Sequence, residues 1–173
     1  MSDSPVEGGP VGGNLMPGET EAQLSTRQMV ELLNEARVAM PGAQIIFAFM
    51  LTVPFASRFG QLDRADRLLY TFTLLSSALA VSFFIAAASV HRVLFRRGQR
   101  EYVIRTGQRL VLIGLAFVAV TMASALGFVL SFVFGNGWGW VATGVSLALF
   151  VSMWFVMPLV RRIQARHGTL PRA

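Results

Sequence analysis

Residues 110–160, LVLIGLAFVAVTMASALGFVLSFVFGNGWGWVATGVSLALFVSMWFVMPLV, contain no charged side chain. A bilayer core is crossed by about 20 apolar residues in a helix, so this run is too long for one crossing. It predicts two crossings, broken at Gly135–Gly139, GNGWG, where turn-forming residues cluster. That places spans three and four at 110–134 and 140–160. Toward the N-terminus, residues 68–90 end at His91 and Arg92 and form span two, and residues 38–57 between Arg37 and Arg58 form span one. An even number of crossings returns both termini to one side.

The whole chain agrees with this reading. Of its 173 residues 54% are hydrophobic and only 14% charged, outside the balance of a soluble domain. The predicted class is therefore an all-α integral membrane protein of one domain. There is no cysteine, which excludes disulfides and thiolate metal sites. The formal charge is +6, and every basic residue other than the two histidines is arginine. These arginines sit at the borders of apolar segments rather than in one patch. Anionic lipid headgroups are thus the expected partner, and nucleic acid is not.

Arginine placement also predicts the orientation. Two arginines lie in the N-terminal segment, six in the 91–109 loop and four in the C-terminal tail, against Arg58, Arg64 and Arg67 on the opposite side. The positive-inside bias then puts both termini in the cytoplasm of a bacterial plasma membrane. Trp138, Trp140 and Tyr70 are expected at the far interface, where amphipathic rings are favoured. Residues 1–19, rich in Gly and Pro, read as a disordered tail, and 161–173 as a basic cytoplasmic one.

Ahead of span one, Met29, Leu33, Ala36 and Met40 recur at helical spacing, which predicts an amphipathic helix lying on the membrane surface. Its start is expected near Thr20 to Ser25, with Ser25–Gln28 as a capping box. Pro41 fits the first turn of the crossing helix and a bend into it. Glu31 and Glu35, one turn apart, repel each other unless a cation faces them. Arg92, Arg96 and Arg100 also repeat at four and offer that partner, so Glu31, Glu35, Arg37 and these three arginines form a candidate cytoplasmic charge network.

Inside span one, Gln44, Ala48 and Thr52 share a face, and Pro54 deprives the Met50 carbonyl of its helical donor. A polar stripe beside a freed carbonyl suits either contact between helices or an ion path. Pro158 similarly frees the Trp154 carbonyl in span four. Small residues recur at spacing four in Ala119, Ala123 and Gly127, and again in Gly144, Ala148 and Ser152, as packing seams do. No carboxylate falls within the four spans, and no phosphate loop, metal-ligand spacing or nucleophile–base pair is visible. His91 and His167 sit at or beyond span ends. The chain reads as a non-enzymatic protein without a cofactor.

The run ELLNEARVAMPGAQIIFAFMLTVPFASRF (31–59), followed by HRVLFRRGQRE (91–101), resembles an uncharacterised family of small four-span bacterial membrane proteins. The resemblance covers roughly residues 29–160. Members are often labelled sodium/proton antiporters automatically, and the family defines no catalytic or ion-binding residues. It implies the four-span topology. Two functions are expected from the sequence. The first is assembly with itself, with lipid or with a larger membrane partner. The second is small cation or proton transport through an oligomer lined by Gln44, Ala48 and Thr52.

Overall fold

The computed structural model describes residues 16, 18, 20–94 and 100–166, and all regular structure among them is helical. Helix α1 runs Glu21–Thr52, α2 Arg64–Leu94, α3 Arg100–Phe134 and α4 Asn136–Val151. A π-helical turn, Ser152–Val156, joins α4 to α5, Met157–Arg166. Four helical segments are long and apolar enough to cross a membrane: Arg37–Phe55, Arg64–Val90, Tyr102–Phe134 and Asn136–Arg161.

Each boundary has a local cause. At the start of α1, Thr20 Oγ1 accepts from the Gln23 backbone N–H at 3.3 Å while Gln23 Oε1 accepts from the Thr20 N–H at 2.8 Å. This reciprocal capping box lies five residues before the one expected at Ser25, which sits inside the helix. Pro41 is also inside α1, so the amphipathic segment and span one are a single helix. Pro54 does not leave a gap in mid-span. The α-helix stops at Thr52, and Pro54 opens a 3₁₀ turn, Val53–Phe55, where its missing N–H is not needed.

The α3–α4 connection is a single residue, Gly135, at φ +98°, a backbone angle that L side chains rarely adopt. The rest of the GNGWG stretch is already helical. Near the other end of the fourth span, the π turn ends two residues before Pro158, whose ring nitrogen has no hydrogen to donate.

Helices α2 and α3 form an antiparallel central pair, flanked by α1 on both and by α4 on α3. Burial follows that order: 33% and 44% of the most apolar windows of α2 and α3 are buried, against 6% for α1 and none for the fourth span. Toward the end of the bundle that holds the termini, Ala43 of α1, Ala80, Phe84 and Ala87 of α2, and Val111 and Val118 of α3 form the apolar core. The Phe84 ring lies so close to Gly114 that a Cβ there would meet it at 2.8 Å. Phe83 and Phe117 stack at 5.5 Å beside this core.

Candidate functional site

The other half of the α2–α3 interface is polar. On α2, Asp66, Thr73, Ser76 and Ser77 are buried, and so on α3 are Thr121, Ser124 and Ser131. Along α2 the buried positions Asp66, Tyr70, Thr73, Ser77, Ala80, Phe84 and Ala87 alternate steps of three and four, the spacing of one helix seam. Polar residues fill the first half of that seam and apolar ones the second.

The hydroxyls meet in pairs across the interface. Thr73 Oγ1 donates to Ser124 Oγ at 2.9 Å, and Thr121 Oγ1 to Ser76 Oγ at 3.1 Å. Each partner also lies within bonding distance of a carbonyl on its own helix, as Ser124 does of Val120 O at 2.8 Å. Every hydroxyl can thus be satisfied without water, and no described buried side-chain oxygen or nitrogen lacks a partner. Such pairs tie helices together in an apolar medium, where packing alone provides no hydrophobic drive.

At the end opposite the termini the seam closes on two carboxylates. Asp63 precedes α2, and its Oδ1 accepts the Asp66 backbone N–H at 2.9 Å, capping the helix. That bond and the Asn136 amide hold the Asp63 carboxyl below its ordinary value. Asp66, in the first turn of α2, is 8% exposed and bonded to Ser131 Oγ of α3. Ser131 Oγ also lies 2.9 Å from Asn136 Oδ1, and Asn136 Nδ2 donates to Asp63 Oδ2. Three helices therefore meet in one polar cluster. Beside it Tyr70 is buried against Phe59, edge-to-face at 5.4 Å, and Phe128 at 6.3 Å. Arg67 turns from the cluster, donating from Nε to Leu62 O at 3.1 Å and from Nη2 to Gly60 O.

The residues singled out by sequence fall elsewhere. Gln44, Ala48 and Thr52 do share a face of α1, but all three are exposed and point out of the bundle. Thr52 Oγ1 returns to Phe49 O at 2.7 Å, and Gln44 has no partner among the described residues. Of the two small-residue seams, Ala119, Ala123 and Gly127 are buried, whereas Gly144, Ala148 and Ser152 are exposed. The contact face of α4 is instead Gly139 and Thr143, both packed on Gly127.

In the charge network, Glu31 lies 4.0 Å from Arg27 within α1, and Arg37 and Arg92 are exposed. Arg92 lies on α2 and Arg100 opens the antiparallel α3, so no single helix carries both. Arg96 and the side chains of Glu35 and Arg100 lie outside the described residues.

A span counted from Leu68, beyond Arg67, leaves Asp66 out, whereas α2 starts at Arg64 and takes it in. A signal was available: Asp63, Asp66 and Tyr70 continue toward Thr73 and Ser77 at the spacing of one helix face.

A family model described as a family of unknown function (DUF6328) matches residues 18–158. The chain belongs to that family. The match takes in the whole polar seam, from Asp63 to Asn136, as well as the Gly127–Gly139 crossing. No curated protein and no solved structure matches the chain.

Proposed function

We propose that this DUF6328 protein is a non-enzymatic integral membrane protein of a bacterial plasma membrane that works through lateral assembly with further copies of itself. Gln44 carries the reading. It lies seven residues into the first span, about 10 Å along the helix axis, exposed and without a partner among the described residues. An amide facing hydrocarbon without a hydrogen bond costs about 4–8 kcal/mol in an alkane-like medium. A second helix that receives it removes that cost. The stripe around it, Gln44, Ala48 and Thr52, is of the small and polar kind that lets helices approach.

The arginine asymmetry favours a cytoplasmic side for both termini, and the first turns of α1, continuous with the span, then reach the headgroups and the water on that side. The exposed Arg37, Arg92 and Arg161 face anionic headgroups there. Single-molecule photobleaching of the labelled chain in dilute liposomes tests the assembly. More than one bleaching step per particle is expected, falling to one in Gln44→Leu. Single steps for the unsubstituted protein at every protein-to-lipid ratio would refute it.

A second reading, cation or proton transport, is favoured by one observation: a buried carboxylate, Asp66, at the head of a hydroxyl-lined seam. In this reading Glu31, Glu35, Arg37, Arg92, Arg96 and Arg100 border the cytoplasmic mouth. Proton or sodium flux into sealed liposomes, abolished by Asp66→Asn, is its expected result. Absence of flux in both gradient directions would dismiss it.

A further inference from the structure

Of the three arginines at the end opposite the termini, Arg58, Arg64 and Arg67, two converge on one cavity. It is an open groove of about 290 Å³ lined by Leu62, Arg64, Arg67, Leu68 and Thr71. Ligand clefts run from about 300 to about 1,000 Å³, which puts this one at the small end. It has room for an anionic group but not for a whole lipid.

Neither guanidinium is neutralised from within the described chain. Arg67 gives Nε to Leu62 O and Nη2 to Gly60 O, which fixes its plane and leaves three of its five N–H groups unused. Arg64 is exposed and has no hydrogen bond or ion pair among the described residues. The two carboxylates at this end are engaged elsewhere, Asp63 by the Asp66 backbone N–H and Asn136, and Asp66 by Ser131. Thr71 turns its hydroxyl hydrogen onto Arg67 O. Two like charges one turn apart therefore share one groove, and an anion between them relieves their repulsion.

The position of the groove decides what kind of anion. The segment Arg64–Val90 has 27 residues, about 40 Å of helix, close to the thickness of a bilayer with its headgroup layers, about 40–45 Å. Arg64 and Arg67, in its first turn, then lie at the level of lipid phosphates. The groove continues into an apolar track, because Leu68, Leu75 and Leu79 follow Arg64 on one face of α2 and all three are exposed. A free anion would use the arginines alone, whereas a lipid uses both parts.

We infer that this groove binds an anionic phospholipid, with the phosphodiester between Arg64 and Arg67 and an acyl chain along Leu68, Leu75 and Leu79. A headgroup that also carries an ammonium is disfavoured, because no carboxylate lines the groove to receive it. The site is at the opposite end of the bundle from Arg37, Arg92 and Arg161, and on a different helix from the Gln44 stripe. It rests on the membrane reading above but not on assembly.

The test uses the full chain in liposomes with Trp138→Phe, Trp140→Phe and Trp154→Phe, and with Leu75→Trp as the reporter, about 16 Å along the helix from Arg64. Acyl-brominated phosphatidylglycerol or phosphatidylcholine, at equal mole fraction in one host lipid, quenches the reporter on contact. An interfacial arginine contributes about fivefold toward an anionic lipid, so the glycerol lipid should be favoured about 25-fold, about fivefold after Arg64→Gln, and hardly at all once Arg67→Gln is added. Arg64→Gln decides the matter alone if the double variant does not accumulate, since Arg64 bonds to nothing else described. Val145→Trp, exposed on α4 at a similar depth, should be quenched equally by both lipids. Quenching of Val145→Trp by neither would overturn the membrane reading, and the inference with it. With Val145→Trp quenched, the same preference before and after Arg64→Gln, or no preference in the unsubstituted groove, overturns the inference alone. So does a preference removed by inorganic phosphate but not by chloride at matched ionic strength, which would assign the groove to a free anion.

Discussion

The crossing of α3 and α4 rests on two glycines, and adding one methyl group tests it. A Cβ on Gly139 would lie 2.4 Å from Ser131 Cβ, 3.0 Å from Ser131 Cα and 2.8 Å from the Gly127 carbonyl oxygen. Non-bonded carbons settle at about 3.5–4.0 Å, so the helices must part by roughly 1 Å. None of these atoms is the free end of a flexible side chain, so no rotamer change relieves the contact. Overpacking costs about 1–3 kcal/mol, and a contact set this rigid belongs in the upper half, about 2–3 kcal/mol. Alanine is intrinsically the better helix former by up to about 1 kcal/mol, which offsets part of that cost. Gly144→Ala removes this complication, because its Cβ meets nothing within 4 Å and the propensity gain is the same. Gly139→Ala should therefore be less stable than Gly144→Ala by about 2–3 kcal/mol, or about 30- to 160-fold in the unfolding equilibrium. Reversible unfolding in mixed detergent–SDS micelles, followed by circular dichroism, measures the difference. A gap below about 0.5 kcal/mol, the scatter of surface substitutions, would refute the α3–α4 packing described here.

Further expectations concern the seam and the core. A double-mutant cycle on Thr73→Val and Ser124→Ala should show a coupling of about 0.6 kcal/mol, and no more than about 1.7 kcal/mol, in the same unfolding assay. Phe84→Ala should cost about 3–5 kcal/mol, because the fully buried ring fills the space over Gly114 between α2 and α3. Asp63 has a depressed carboxyl value, so its contribution to stability is present above the ordinary carboxylate range and is lost as pH falls through the depressed value. Melting curves recorded across acid pH should show that loss, and Asp63→Asn should flatten it.

The fold was legible because its strongest signals are local. An uncharged run too long for one crossing, turn-forming residues clustered at Gly135–Gly139 and arginines at the span borders predict four crossings without knowledge of their packing. Which faces meet is a different matter, since small residues recur on both sides of α4. Gly144, Ala148 and Ser152 fit the pattern of a packing seam, but Gly139 and Thr143 make the contact. The sharp turn at Gly135 brings the start of α4 against Gly127 and Ser131, and tertiary geometry of that kind is not encoded in a spacing of four. The polar stripe of α1 was visible as a stripe, but its direction depends on which helices form the central pair.

Asp66 shows where counting spans by charge misleads. A membrane helix can begin before its last flanking arginine, because a long arginine side chain reaches back to the loop as Arg67 does to Leu62 O. The carboxylate three residues into α2 then enters the bundle, where Ser131 receives it. Glu31 and Glu35 stand beside the first span, but Glu31 has a cation, Arg27, within its own helix.

Cross-linking between copies tests the central claim, that the Gln44–Ala48–Thr52 face of α1 looks out of its own bundle to meet another chain. The natural chain has no cysteine, so single substitutions report one position at a time. Ala48→Cys in liposomes should give a disulfide-linked dimer under mild oxidation, with the dimer reduced when Gln44→Leu is added. Ala123→Cys, buried between the central helices, should give none. A dimer from Ala123→Cys with none from Ala48→Cys would contradict the outward placement of the α1 stripe.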